Sequence, residues 1–236
     1  MCVQSETLAV GGTNTYEFCE ESKGGVPPPP PTPECKHHIE LMIGNDFSMY
    51  KKAKEDVGAA QEHALLIANG VKEIYHSLPL GICVTLVAVR TFTSKSDEGD
   101  VYTASDDTIK NLLVRWTAWA KGNNKKTESY DLRNDNAALL TNIDRSGGTA
   151  GLAWVGTMCG GSSSSVNEEN KYGIWQYTAE TVAHEMGHNL GSGHDGSGNA
   201  ANCDKSAFVM AAVGCSNCGF KGFKKFSVRP CRPTDT

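Results

Sequence analysis

The stretch His184-Glu185-Met186-Gly187-His188-Asn189-Leu190-Gly191-Ser192-Gly193-His194-Asp195 decides how the rest of the chain is read. His184 and His188 are four residues apart, so on a helix they share one face and can bind one metal ion together. Glu185 follows the first histidine, where a carboxylate can reach a water on the metal without being a ligand. Gly191 can adopt a positive φ and end the helix. The chain then turns back and offers His194 as a third imidazole. Three neutral histidines with one open position describe a catalytic zinc site, not a closed structural one. In such a site zinc lowers the pKa of a water, Glu185 takes the proton as general base, and the water attacks a carbonyl. A bare HExxH also arises by chance on ordinary polar helices. Three histidines, a glutamate and a glycine fixed over eleven positions leave chance a poor explanation.

The extended pattern is the metzincin signature, which carries a methionine turn downstream. The chain resembles the metzincin metalloproteases, and Asp195 directly after His194 resembles the adamalysin/reprolysin branch, which includes the ADAM and snake-venom enzymes. Asn134-Asp135-Asn136-Ala137-Ala138-Leu139-Leu140-Thr141 resembles that branch's HDNAQLLT pattern. Gly151-Leu152-Ala153-Trp154-Val155-Gly156 resembles its substrate-binding edge strand, with Cys159 following. An exposed edge lets an extended peptide add as a further strand and lie over the metal. Met210, sixteen residues beyond His194, matches the Met-turn that forms an apolar floor beneath the zinc. The resemblance covers about residues 37–231 and implies an α/β (α+β) zincin. Its features are a mixed twisted sheet with an antiparallel edge strand, long helices, an active-site helix and an irregular C-terminal subdomain. It implies a secreted, zinc-dependent endopeptidase acting on protein or peptide substrates, with no second subunit needed.

The resemblance also implies a Cys159–Cys231 disulfide and a candidate calcium site at Glu40, Asp135 and the carbonyl of Cys231. Two departures bear on the calcium site and on cysteine pairing in the 203–218 region. The asparagine expected three residues after Cys231 is Thr234, and Phe208 and Val209 stand where a cysteine usually precedes the Met-turn.

Nine cysteines in 236 residues argue for an oxidising compartment. Cys215-x-x-Cys218 has no second CxxC to complete a four-cysteine zinc site, so disulfides are expected. Cys203 is expected to pair with Cys215 or with Cys218; the residues leave that choice open. The net charge of −5 offers no basic footprint for nucleic acid, and no apolar run is long enough to span a membrane. The N-terminus lacks the basic and apolar regions of a signal peptide, so a fragment of a longer chain is expected. Residues 1–35 are polar, with prolines at Pro27–Pro31 and Pro33. They read as a pro-segment remnant or linker ahead of a catalytic domain at 36–236. Two rival readings are a binding or toxin module that keeps the fold without catalysis, and a latent form with Cys2 or Cys19 on the zinc.

The domain should open with a strand over His38–Ile43 and continue with one helix whose apolar stripe runs from Ala53 to Leu78. Cys83–Val89 is nearly continuous β-former, which predicts a strand buried on both faces. Strand, helix, strand makes two parallel neighbours whose N-terminal ends lie together. Cys35 precedes the first strand and Cys83 opens the second, so adjacent strands about 5 Å apart bring them within disulfide range. Ser105–Asp107 should cap a further helix with Ile109, Leu112, Leu113, Trp116 and Ala120 inward. Ser162–Ser165 reads as a loop at the rim of the sheet.

Overall fold

Strand β1, His37–Asn45, is an interior strand of the sheet and is buried on both faces from Leu41 onward. The computed structural model describes residues 34–98, 101, 108–125, 131–144, 147–214 and 220–227, all within the unit from Pro33 to Thr236. After β1 come α1 (Phe47–Lys52), α2 (Val57–His76), β2 (Ile82–Thr91), α3 (Lys95–Glu98), α4 (Ile109–Asn123), β3 (Asn136–Thr141), β4 (Gly151–Ala153), β5 (Ser164–Glu168) and α5 (Trp175–Asn189). The sheet order is β2-β1-β3-β5-β4. All neighbours are parallel except β4, which runs antiparallel to β5 at one edge.

The period-2 alternation of the strands divides the core between two layers. Leu41 and Ile43 of β1, with Ala138 and Leu140 of β3, pack against α2 and α5. Met42, Ala137 and Leu139 face the other way and meet Leu112, Leu113 and Trp116 of α4. Each leucine, isoleucine or methionine among them, fully buried, contributes about 1.5–3 kcal/mol relative to exposure. The sheet therefore holds α5, the helix carrying the histidine motif, on the same face as α2.

Four elements differ from the sequence expectation. The helix expected over the stripe from Ala53 to Leu78 begins only at Val57: α1 has ended at Lys52 with Ala53 as its C-cap, and α2 carries the stripe as far as His76. Asp56 accepts a hydrogen bond from Ala59 N–H as the N-cap of α2, and Lys54 and Glu55 take left-handed φ values of 57° and 65° just before it. A capping aspartate outcompetes continuation of the helix there. Strand β2 is parallel to β1 as expected but forms the outer edge, and Thr85 and Val87 are exposed. Helix α4 is capped by Thr108, whose side chain accepts from Asn111 N–H; the expected caps at 105–107 lie outside the described residues. The serine run is an interior strand: Ser164 and Ser165 are buried in β5 between β3 and β4.

Cys35 and Cys83 form a disulfide with Cα atoms 5.6 Å apart, closing a 48-residue separation across the N-terminal ends of β1 and β2. Replacing both with alanine should lower the unfolding free energy by about 2–4 kcal/mol, the usual worth of such a bridge in the chain-entropy model. Urea unfolding measures it, and an unchanged midpoint would contradict the expectation.

A second brace lies ahead of α5. The Glu169 carboxylate is buried between His63 Nε2, at 3.0 Å, and Lys52 Nζ, at 3.3 Å. Burial pushes its pKa up, but the hydrogen bond and charge of His63 and the charge of Lys52 outweigh that, leaving it below the ordinary value. A carboxylate depressed in the folded state stabilises the fold above its unfolded pKa, and that stability is lost as pH falls through the lowered value. Glu169→Gln should therefore be less stable than the native protein at neutral pH, with the gap closing in acid. A gap that stays constant from pH 7 to pH 3 in chemical denaturation would refute the brace.

Candidate metal centre

Helix α5 places His184 and His188 on one face, one turn apart. Its backbone stops at Leu190, and Gly191, at φ 94°, reverses the chain. The reversal is closed by Ser192 N–H donating to the Gly187 carbonyl at 2.9 Å. His194 then arrives with its Nε2 atom 3.2 Å from that of His184 and 3.1 Å from that of His188. Three imidazoles bound tetrahedrally to one zinc at about 2.0–2.1 Å hold their nitrogens at about this mutual spacing. Among the described residues these histidines form the sole group of three or more metal-ligating side chains brought within reach of one ion.

The second nitrogen of two rings is already committed. His184 Nδ1–H donates to the Val209 carbonyl at 2.7 Å, and His188 Nδ1–H donates to the Ser192 carbonyl at 2.8 Å. A carbonyl can only accept, so each proton sits on Nδ1 and each Nε2 keeps its lone pair for a cation. Burial lowers the pKa of His184 to about 4, with the charges of His188 and His194 adding to the effect against the Val209 hydrogen bond. Burial lowers His188 as well. Neutral imidazole is the form zinc takes, so the donor set fits that ion.

Glu185 is 4% exposed, and burial pushes its carboxyl up to about 8. A nearby cation acts in the opposite sense by favouring the ionised form. The side chain lies against the first residue of β4: a Cβ at Gly151 would stand 2.7 Å from Glu185 Oε1. Glycine at 151 therefore lets the carboxylate sit directly beside the sheet edge.

Met210, 1% exposed, forms the floor beneath α5. A Cβ at Gly187 would come within 2.5 Å of Met210 Sδ, so glycine in the middle of the motif admits the thioether beneath α5. Asp195 N–H donates to the Met210 carbonyl at 2.9 Å, coupling the third histidine to the floor. Residues 220–227 clasp this arrangement. Lys224 N–H donates to Glu180 Oε1 at 2.9 Å, and Val209 N–H donates to the Lys225 carbonyl at 2.9 Å. Ser227 Oγ donates to Asp195 Oδ1 at 2.6 Å, and Phe226 packs on Tyr75 with ring centroids 4.9 Å apart.

The edge strand is shorter than the expected span of Gly151–Gly156. It pairs through Gly151, Leu152 and Ala153 only. Beyond it, Trp154 turns its indole N–H onto Thr117 Oγ1 at 2.8 Å, and Val155 is exposed. Gly156 N–H and Met158 N–H donate to the carbonyls of His188 and Asn189, each at 2.9 Å. The last carbonyls of a helix lack intrahelical partners, and here they capture the segment that would otherwise extend the strand.

The expected Cys159–Cys231 bridge is not formed. Cys159 is a free, exposed thiol at φ 61°. Its pKa is raised by burial first and then by the charge and hydrogen bonding of Asp135, which engages the thiol instead. Cys231 lies outside the described residues, as do Cys2, Cys19, Cys215 and Cys218. Cys203 is buried and disulfide-bonded; both of its expected partners fall in the undescribed stretch. Of the candidate calcium ligands, Glu40 and Asp135 are adjacent, but Asp135 Oδ2 accepts from Glu40 N–H at 2.9 Å, a bond between β1 and the residue preceding β3.

One residue with no role in the motif pattern is central here. Asn189, directly after His188, is fully buried. Its only signal in the sequence is a polar amide at the end of a helix face that packs against the sheet.

The chain matches the reprolysin (M12B) family of zinc metalloproteases over residues 37–231. It is 34% identical over 177 residues to a zinc metalloproteinase/disintegrin of Bitis gabonica, covering 74% of this chain and 50% of that protein. The chain thus spans about half the length of this curated relative. A solved chain described as the structure of a chaperone-substrate complex shares the fold at a TM-score of 0.55. It is 17% identical and covers 77% of this chain and 28% of its own.

Proposed function

Because the chain belongs to the reprolysin (M12B) family of zinc metalloproteases, we propose that residues 36–236 are the catalytic domain of a secreted zinc endopeptidase. The observation that carries this reading is the convergence of three Nε2 lone pairs beside the Glu185 carboxylate. His184, His188 and His194 would hold the ion, with Val209 and Ser192 fixing two of the rings through their carbonyls. When bound, zinc supplies a Lewis acid that acidifies water and polarises a carbonyl.

The chain's own residues do the rest. Glu185 accepts the proton of the attacking water and returns it to the leaving amine nitrogen. Its burial beside Gly151 keeps bulk water from competing for that proton. The unpaired side of β4 takes a peptide as an added strand, which brings the scissile carbonyl to the water. Protein substrates follow from that mode, because main-chain pairing demands an extended backbone. Secretion accords with the Cys35–Cys83 disulfide.

The test is cleavage of a denatured protein substrate before and after treatment with a zinc chelator. Cleavage should disappear on chelation and return when zinc is added back. Binding of a protein partner with no chelator-sensitive cleavage would favour the non-catalytic binding module instead.

A further inference from the structure

We infer that Asn189 is a positioning residue that sets the height of the substrate edge over the metal helix. The inference rests on the endopeptidase reading above. Asn189 is the last residue of α5 and follows His188 directly. Its two amide hydrogens are shared among the Trp154 carbonyl at 2.8 Å, Thr157 Oγ1 at 3.2 Å and the Ser164 carbonyl at 3.2 Å. Its Oδ1 accepts from Asn136 Nδ2 at 2.7 Å, and that amide also donates to Ser163 Oγ at 2.9 Å.

One side chain therefore joins four pieces of backbone: the end of the metal helix, the segment just past β4, the start of β5 and the start of β3. Thr157 Oγ1 also donates to the Trp154 carbonyl at 3.2 Å, closing the group on itself. The main-chain bonds from Gly156 and Met158 to the helix end act in parallel with it.

The direction of these bonds points to more than a stabilising polar core. Trp154 immediately follows Ala153, the last paired residue of β4. A peptide that adds to β4 has its reacting carbonyl placed by the height of that edge relative to His184 and His188. A misplacement of 1 Å in such an arrangement costs on the order of 100-fold in rate. Asn189 fixes that height through a bond to the main chain of the edge itself, at the point where the strand leaves the sheet. Its own contribution is felt by substrates in proportion to how much of the edge they occupy.

The experiment compares the native protein with Asn189→Asp and Thr157→Val on a series of peptides lengthened one residue at a time around one scissile bond. Zinc content is measured for each protein. The aspartate keeps the shape and the acceptor for Asn136 but turns two donors into acceptors facing carbonyls. Thr157→Val removes one partner near the surface and spares the fold.

In the native protein kcat/KM should rise with peptide length. In Asn189→Asp the rise should flatten, with the longest peptide losing about 100-fold and the shortest less than about threefold, at unchanged zinc content. Thr157→Val should flatten the series in the same direction by a smaller factor. A merely structural role lowers all peptides by one common factor, through the fraction of folded protein, and that outcome overturns the inference. Loss of zinc from both variants also overturns it, because Asn189 would then hold the helix and not the edge. If Asn189→Asp fails to fold, a Thr157→Val series parallel to the native one decides against the inference. A native protein that cleaves none of the peptides, and no denatured protein, sinks the endopeptidase reading itself. Native cleavage with unaltered variants sinks only the role of Asn189.

Discussion

Glu185→Gln is expected to bind about one zinc per chain and to cleave peptides at least about 10²–10⁴-fold more slowly than the native protein, the usual cost of losing a general base. The substitution keeps the shape of a side chain that is 4% exposed and wedged beside Gly151. It touches none of the three imidazoles, and the carbonyls of Val209 and Ser192 still orient two of them. What it removes is the ability to accept a proton. The prediction is therefore a split: metal content by atomic absorption unchanged, kcat collapsed, and KM close to native, because the edge strand is untouched. Near-native kcat would show that another group takes the proton and would end the proposed mechanism.

His194→Ala should fail in the opposite order. It removes a ligand from a set of three and leaves Glu185 in place. Its zinc affinity should fall by more than the 10–100-fold that losing an outer partner of a ligand typically costs, with activity falling in step and partly restored by excess zinc. Asp195 and its bond to Met210 lie on the backbone next door and should keep the loop in position. The variant therefore tests metal binding without collapsing the floor. Zinc content equal to the native protein after dialysis would place the third ligand elsewhere.

The convergence of the three histidines was legible because it is written in spacing. A helix puts residues four apart on one face whatever surrounds them, and a glycine that can take a positive φ announces the reversal that delivers His194. The Cys35–Cys83 bridge was legible for a similar reason: the connection of two parallel strands places their starts side by side. The features that were not legible depend on distant partners. Of Ser164-Ser165-Val166-Asn167 only Val166 favours a strand; the segment becomes one because β3 and β4 pair with it on its two sides. Val87 belongs to an apolar run, yet β2 ended at the outer edge, since strand order across a sheet is not encoded in any one strand. The edge strand stopped at Ala153 because the carbonyls ending α5 captured Gly156 and Met158, a competition visible only once both elements are in place. Asn189 gains its meaning from four segments that are far apart in the chain.

The clasp formed by residues 220–227 sets an order of events during synthesis. Translation delivers His184, His188 and His194 before it delivers Lys225, which accepts from Val209 N–H, and Ser227, which donates to Asp195. At about 5–20 residues per second, the ligands precede their clasp by a few seconds. A nascent chain in that interval carries every ligand of the centre over an unfastened floor. The fastening of the centre is therefore synthesised after its imidazoles, although the pattern that defines it is complete by residue 194.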